Sequence, residues 1–212
     1  MLHRSLIAGA AVACAGATAH AGLLVFTDRA DWEAALGGAT VFIEDFNSLT
    51  VQVIADGDTL DTGLIQIRRD GSPNGGDGAL EVEPGSNFGN IDGTNFLSGE
   101  TGVTPHERVE IGFSGQSIFA FGADWNSPFS GDGIGLEVGN DLILLDSIFG
   151  FNTGFVGFVS TDAFDSIAIV GNPSTAVFQE LWSGDNFSFA IPAPGAAALF
   201  GLAGIALTRR RR

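Results

Sequence analysis

Apolar residues recur at every second position through most of the chain between residues 64 and 190. The stretches LIQIR (64–68), ALEVE (79–83), RVEIGF (108–113), SIFAFGADW (117–125) and IGLEVG (134–139) alternate apolar with polar or small residues. LILL (142–145), FVGFVS (155–160), SIAIV (166–170) and NFSFA (186–190) continue the series, and LLVFT (23–27) opens it. Successive strand side chains point to opposite faces, so this period suits strands that bury one face and leave the other polar. Turn-forming groups separate them: Asn74-Gly75-Gly76, Asp92-Gly93, Gly131-Asp132-Gly133 and Gly139-Asn140-Asp141. Many short strands at fairly regular spacing predict an all-β fold, a β-sandwich or jelly roll. One short N-terminal helix is expected over residues 28–36. Trp32, Ala35 and Leu36 fall at helical spacing, Thr27 or Asp28 can cap it, and Gly37-Gly38 stops it.

The core has ample material, since the chain holds 18 phenylalanines. Residues 22–190 form one domain in this reading, large enough for a single core. They carry four arginines (Arg29, Arg68, Arg69 and Arg108) against all 25 carboxylates of the chain. A surface this acidic repels phosphate backbones, which excludes nucleic acid as a partner, and repels anionic lipid for the same reason.

The two ends differ from the body. Residues 1–21 read as a cleaved signal peptide: Arg4, an apolar stretch from Leu6 to Thr18, then Ala19-His20-Ala21 as a small-x-small cleavage site. Cys14 is the sole cysteine and leaves with the leader, so the mature protein has no thiol for a disulfide or a nucleophile. Residues 191–212 hold Pro192-Ala193-Pro194, an apolar stretch to Thr208, and Arg209-Arg210-Arg211-Arg212. From Ile191 to Thr208 there are 18 residues, which at about 1.5 Å each barely cross a ~30 Å hydrocarbon core. Arginines remain cytoplasmic by the positive-inside rule while the body lies outside. The tail is thus either an address label, removed after a halted passage, or a retained single-span anchor.

Within the body, candidate chemistry is sparse. His106 is the only histidine left after the leader, it follows Pro105, and no G-x-S-x-G elbow accompanies it. It reads as a loop residue. DGSPNGGDGALE (70–81) matches a calcium loop at Asp70, Ser72, Asn74, Gly75 and Glu81, but Gly76 and Asp77 break the pattern, which favours a glycine-rich hairpin loop. DGDTLD (56–61) reads as an acidic turn. A longer-range site is expected if the first and last strands pair. Glu44 or Asp45 would then approach Asp185 and supply oxygens to a structural calcium that clasps the two ends.

The tail resembles the PEP-CTERM sorting signal of bacterial exosortase substrates, with a proline motif at Pro192 to Pro194, a short apolar span and an arginine cluster in that order. Ala193 stands where that family has glutamate. Body phrases such as VFTDRADWEAAL, NFLSG, FAFGADW, GFVGFVSTDAFDSIAIV and DNFSF are similar to the sandwich regions of the same group. The resemblance implies an exported, non-catalytic protein of the surface or the exopolysaccharide matrix. It also implies an exosortase-like processing partner and a transient stay in the inner membrane. A carbohydrate-binding module is the second reading, with Trp125 and Trp182 as stacking platforms. A polysaccharide hydrolase or lyase comes last, because no acid pair stands out by spacing.

Overall fold

The computed structural model describes residues 19–20, 22–69, 80–101, 108–126, 134–145, 153–171 and 180–191. Cys14, most of the 70–81 loop, His106, the proline motif and the arginine cluster lie outside them. Among the described residues the chain forms one helix and fifteen strands in two antiparallel sheets.

In chain order these are β1 (Ala19–His20), β2 (Leu23–Phe26), α1 (Arg29–Ala35), β3 (Thr40–Glu44), β4 (Gln52–Ile54), β5 (Thr59–Asp61), β6 (Gln66–Arg69) and β7 (Leu80–Glu83). Then come β8 (Phe96–Thr101), β9 (Val109–Gly112), β10 (Ile118–Asn126), β11 (Ile134–Val138), β12 (Asp141–Leu144), β13 (Gly154–Phe164), β14 (Ser166–Gly171) and β15 (Glu180–Ile191). The larger sheet runs β1-β2-β13-β10-β15-β8-β7-β4, and the smaller runs β12-β11-β14-β9-β6-β5. β15 is long enough to hold two partners in series along one edge. Its first half pairs with β8 (Trp182↔Gly99) and its second with β3 (Phe187↔Glu44, Ile191↔Thr40). The first and last parts of the body therefore do meet, and β15 extends one residue past the expected boundary at 190.

The predicted alternation explains the core. Leu80, Val82, Leu97, Phe121, Trp182 and Phe187 of the larger sheet belong to one buried cluster with Ile67, Ile111, Leu136, Ile167 and Ile169 of the smaller. Phe113, just beyond β9, has its ring 6.1 Å from Phe121 and 5.2 Å from Phe189, so aromatic packing joins the layers. This is an all-β, sandwich-like architecture. DGDTLD differs from expectation: only Asp56-Gly57 turn, and Thr59–Asp61 is a strand whose Leu60 is buried opposite Ile67.

The helix forms where its signals lie. Asp28 caps it through Oδ1, which accepts the Asp31 amide at 3.0 Å. Trp32 is fully buried, donates Nε1–H to the Phe158 carbonyl at 3.2 Å, and joins Leu36, Ala120, Phe155 and Ala190 in a second cluster. That cluster covers part of the outer face of the larger sheet. Burying a side chain of this size contributes about 2–3 kcal/mol.

Candidate functional site

Beside the helix, the outer face of the larger sheet is polar. Glu81, Ser98, Ser183 and Asn126 are successive cross-strand partners on β7, β8, β15 and β10. Their chain neighbours Val82, Leu97, Trp182 and Trp125 fill the core, so alternation sends this row the other way. Glu83, Asp124 and Asp185 flank it.

The 84–95 loop lies over this row. Its Asn87 Nδ2 donates to Glu83 Oε2 at 2.6 Å, its Asn90 carbonyl accepts from Asn126 Nδ2 at 3.1 Å, and its Thr94 Oγ1 lies 3.4 Å from Asp185 Oδ2. Asn95 ties the loop to the turn after β3: its amide donates to Asn47 Oδ1 at 3.0 Å and its Nδ2 to the Leu49 carbonyl at 3.2 Å. The loop closes on itself at Gly85, where a Cβ would sit 2.1 Å from the Gly93 carbonyl, so only glycine fits.

Asp185 has no solvent exposure. A register shift between β10 and β15 sets it there: the pairing passes from Gly122↔Ser188 to Asp124↔Asp185, with Asn186 at φ 52° on the bulged side. Asparagine tolerates that left-handed conformation better than most residues. Burial pushes the Asp185 carboxyl up to about 7. The Asn186 amide, donating to Oδ1 at 2.6 Å, works against that shift, while the negative charges of Asp92 and Asp124 reinforce it. Asp92 moves the opposite way. Its Oδ1 accepts the Thr94 hydroxyl at 2.5 Å and the Thr94 amide at 2.9 Å, and the hydroxyl above all holds its carboxyl below the usual range. Asp124 is held by Arg29 Nη2 at 2.8 Å and Asn186 Nδ2 at 3.1 Å. Arg29 also donates from Nη1 to Ser188 Oγ at 2.9 Å and lies 4.6 Å above the Phe155 ring.

The clasp residues take different places. Glu44 is buried with Oε1 accepting the Phe46 amide at 2.9 Å, and Asp45 is exposed with Oδ1 accepting from Asn47 at 3.1 Å. The carboxylates that act on Asp185 are instead Asp92 and Asp124. Among the described residues no group of three or more His, Cys, Asp or Glu has the arrangement of a metal site.

The two tryptophans are a correction. Trp125 and Trp182 are each 1% exposed, packed edge to face at 6.1 Å within the core, so neither presents a ring face to a glycan. They lie on the inward beat of their strands, and the loop residues beside them do not change that. Among the described residues the exposed aromatic is Phe88, 71% exposed, which lines a cavity of about 280 Å³ together with Glu83, Ser98, Leu181 and Ser183.

Sequence reasoning missed Asp92, Asp124, Thr94 and Arg29. The signal for Asp124 was available, since it occupies an outward position in FAFGADWN; the loop that buries its neighbour was not. No family model matches this sequence, and comparison with curated proteins finds no match.

Proposed function

We propose that this chain is an exported, non-catalytic protein of the cell surface or extracellular matrix, sorted by an exosortase-like enzyme acting on its tail. The observation that carries the reading is the junction at Ile191. β15 runs through Ile191, paired with Thr40, and Pro192-Ala193-Pro194 follows at once. Cleavage at the proline motif would thus leave every strand of the body in place. Pairing of β2 with β13 and of β3 with β15 supports the jelly-roll form of the sandwich. Residues 1–21 serve as the leader in this scheme.

Intact mass of surface-located protein tests it. The expected species begins at Gly22 and lacks Arg209 to Arg212. Replacing Pro192 and Pro194 with alanine should strand full-length tail in the inner membrane, because the span and its charges are untouched. Replacing all four arginines with serine should let unprocessed protein leak into the medium. A surface species that ends at Arg212 overturns the sorting role.

A further inference from the structure

We infer that Arg69 is the anchor of a site for one small oxyanion, a carboxylate, sulfate or phosphate ion, inside one end of the sandwich. This site is independent of how the tail is processed.

Its location follows from register. Asp165 alone joins β13 to β14, so Phe164 and Ser166 mark the same end of both sheets. At the opposite end lie Arg69, paired with Val109 and through it aligned with Ile169, and Thr101, paired with Glu180. Trp125 and Trp182 lie near this end too, opposite Gly184 and Gly99. Arg69 follows the core residue Ile67 by two positions on β6, so it takes the same inward beat, and it is 4% exposed.

Every buried side-chain nitrogen or oxygen that lacks a hydrogen-bond partner among the described residues belongs to this end. These atoms are Nε and Nη2 of Arg69, Oγ1 of Thr101, Nε1 of Trp125 and of Trp182, and Nε of Arg108, which immediately precedes β9. All but the Thr101 hydroxyl can only donate, so what this end lacks is an acceptor. A buried water could accept from two of them, but it adds hydrogens of its own and compensates no charge. The charge decides the matter. Arg108 is offset by Glu110 and Glu137, whereas the Arg69 fork meets no carboxylate among the described residues. Arginine stays charged in a protein, and a charge buried without a counter-charge is costly. The missing acceptor is therefore negative.

The two free nitrogens select the kind of anion. Nε and Nη2 lie on one side of the guanidinium with their N–H bonds side by side, the fork that two oxygens of one carboxylate, sulfate or phosphate fill together. A monatomic ion such as chloride cannot match it bond for bond. The nearest described turn does not fill the fork either. The Gly57 amide donates to the Arg69 carbonyl at 3.3 Å, which brings Asp56 and Asp58 alongside, yet both are exposed and neither bonds Nε or Nη2. Burial this deep suits an ion and not a polymer, and a net charge of −16 disfavours polyanions further.

The test is the melting temperature of the full-length protein in mild detergent, titrated from micromolar to millimolar acetate, sulfate or phosphate. Sodium chloride holds the ionic strength constant and is the monatomic comparator. The expected result is a saturable rise of about 3–6 °C with at least one oxyanion. Exclusion of sulfate or phosphate from the protein surface also stabilises, but that effect does not saturate and does not depend on Arg69. Arg69→Met should abolish the rise, and in chloride alone it should melt at or above the wild type, because no unpaired charge is left to bury. Arg69→Lys keeps the charge and loses the fork, so its Kd should rise about tenfold or more. Arg68→Met, exposed on the outward beat, should respond as the wild type does. The site is overturned by any of four results: no saturable response to all three oxyanions, a response that survives Arg69→Met, an Arg69→Met protein less stable than wild type in every buffer, or an unchanged Kd in Arg69→Lys. Such a failure leaves the sorting reading intact, since that is decided by the mass of surface protein.

Discussion

Arg29 and Asp124 are 95 residues apart in sequence and 2.8 Å apart in space, Nη2 to Oδ2. The contact joins the first turn of the helix to the middle of the larger sheet, next to the carboxyl of Asp185. With its second nitrogen on Ser188, Arg29 offsets the charge of Asp124, one of the two carboxylates that push the Asp185 carboxyl up.

Removing that cation should therefore cost more than a surface ion pair does. Arg29→Ala is expected to lower stability by about 1–3 kcal/mol in urea denaturation, against roughly 0–1 kcal/mol for exposed pairs. Asp124→Asn in the same chain should recover part of the loss, because the unpaired charge is then gone. Additive losses would show that the two residues are not coupled.

The raised pKa of Asp185 makes stability depend on pH in a definite direction. The folded state holds this proton up to about pH 7, whereas an unfolded aspartate releases it near ~4. Its contribution is full below the unfolded value and declines as pH rises through about 7, by at most roughly 4 kcal/mol. In EDTA, melting temperature should fall between pH 5 and pH 8, and Asp185→Asn should flatten that fall. A profile unchanged by the substitution would mean the carboxyl is not the source. The calcium expectation is tested at the same position: with Glu44 and Asp45 turned to other partners and Asp185 buried, millimolar calcium and EDTA should give equal melting temperatures at pH 8. A gain in calcium that Asp185→Asn abolishes would restore the clasp.

Gly157 provides a check on the helix docking. A Cβ there would sit 2.7 Å from Phe155 Cζ and 2.8 Å from Trp32 Cδ1. Trp32 has no slack, being fully buried with its indole tied to Phe158. Gly157→Ala should destabilise by about 1–3 kcal/mol and change the tryptophan fluorescence. A variant as stable as wild type would show that the helix moves freely over the sheet.

The alternation made most strands legible. LLVF, VEIG and SIAIV each became a strand with its apolar beat in the core. Gln52–Ile54 was invisible because three residues are too short to display a period, and its Val53 faces outward. Phe96–Thr101 was hidden for another reason: β8 is buried on both faces, which erases the alternation. The same effect obscured the polar site. Ser183, Asp185 and Ser188 occupy outward beats and should be wet, but the 84–95 loop and the helix cover them. Which loop covers which face depends on contacts such as Asn95 with Leu49, and no local pattern carries that information.

β15 is the last described strand of the chain, yet it lies in the interior of the larger sheet, bonded to β10 on one side and to β8 and β3 on the other. β10 and β8 can pair with β13 and β7 before it, but the edges that β10, β8 and β3 turn toward β15 stay open until this strand is made. Along the proposed route this places a clock in the fold. On that route the sheet would stay open in the middle until the residues just before Pro192 emerged on the far side, and it would close while the apolar tail was held in the bilayer.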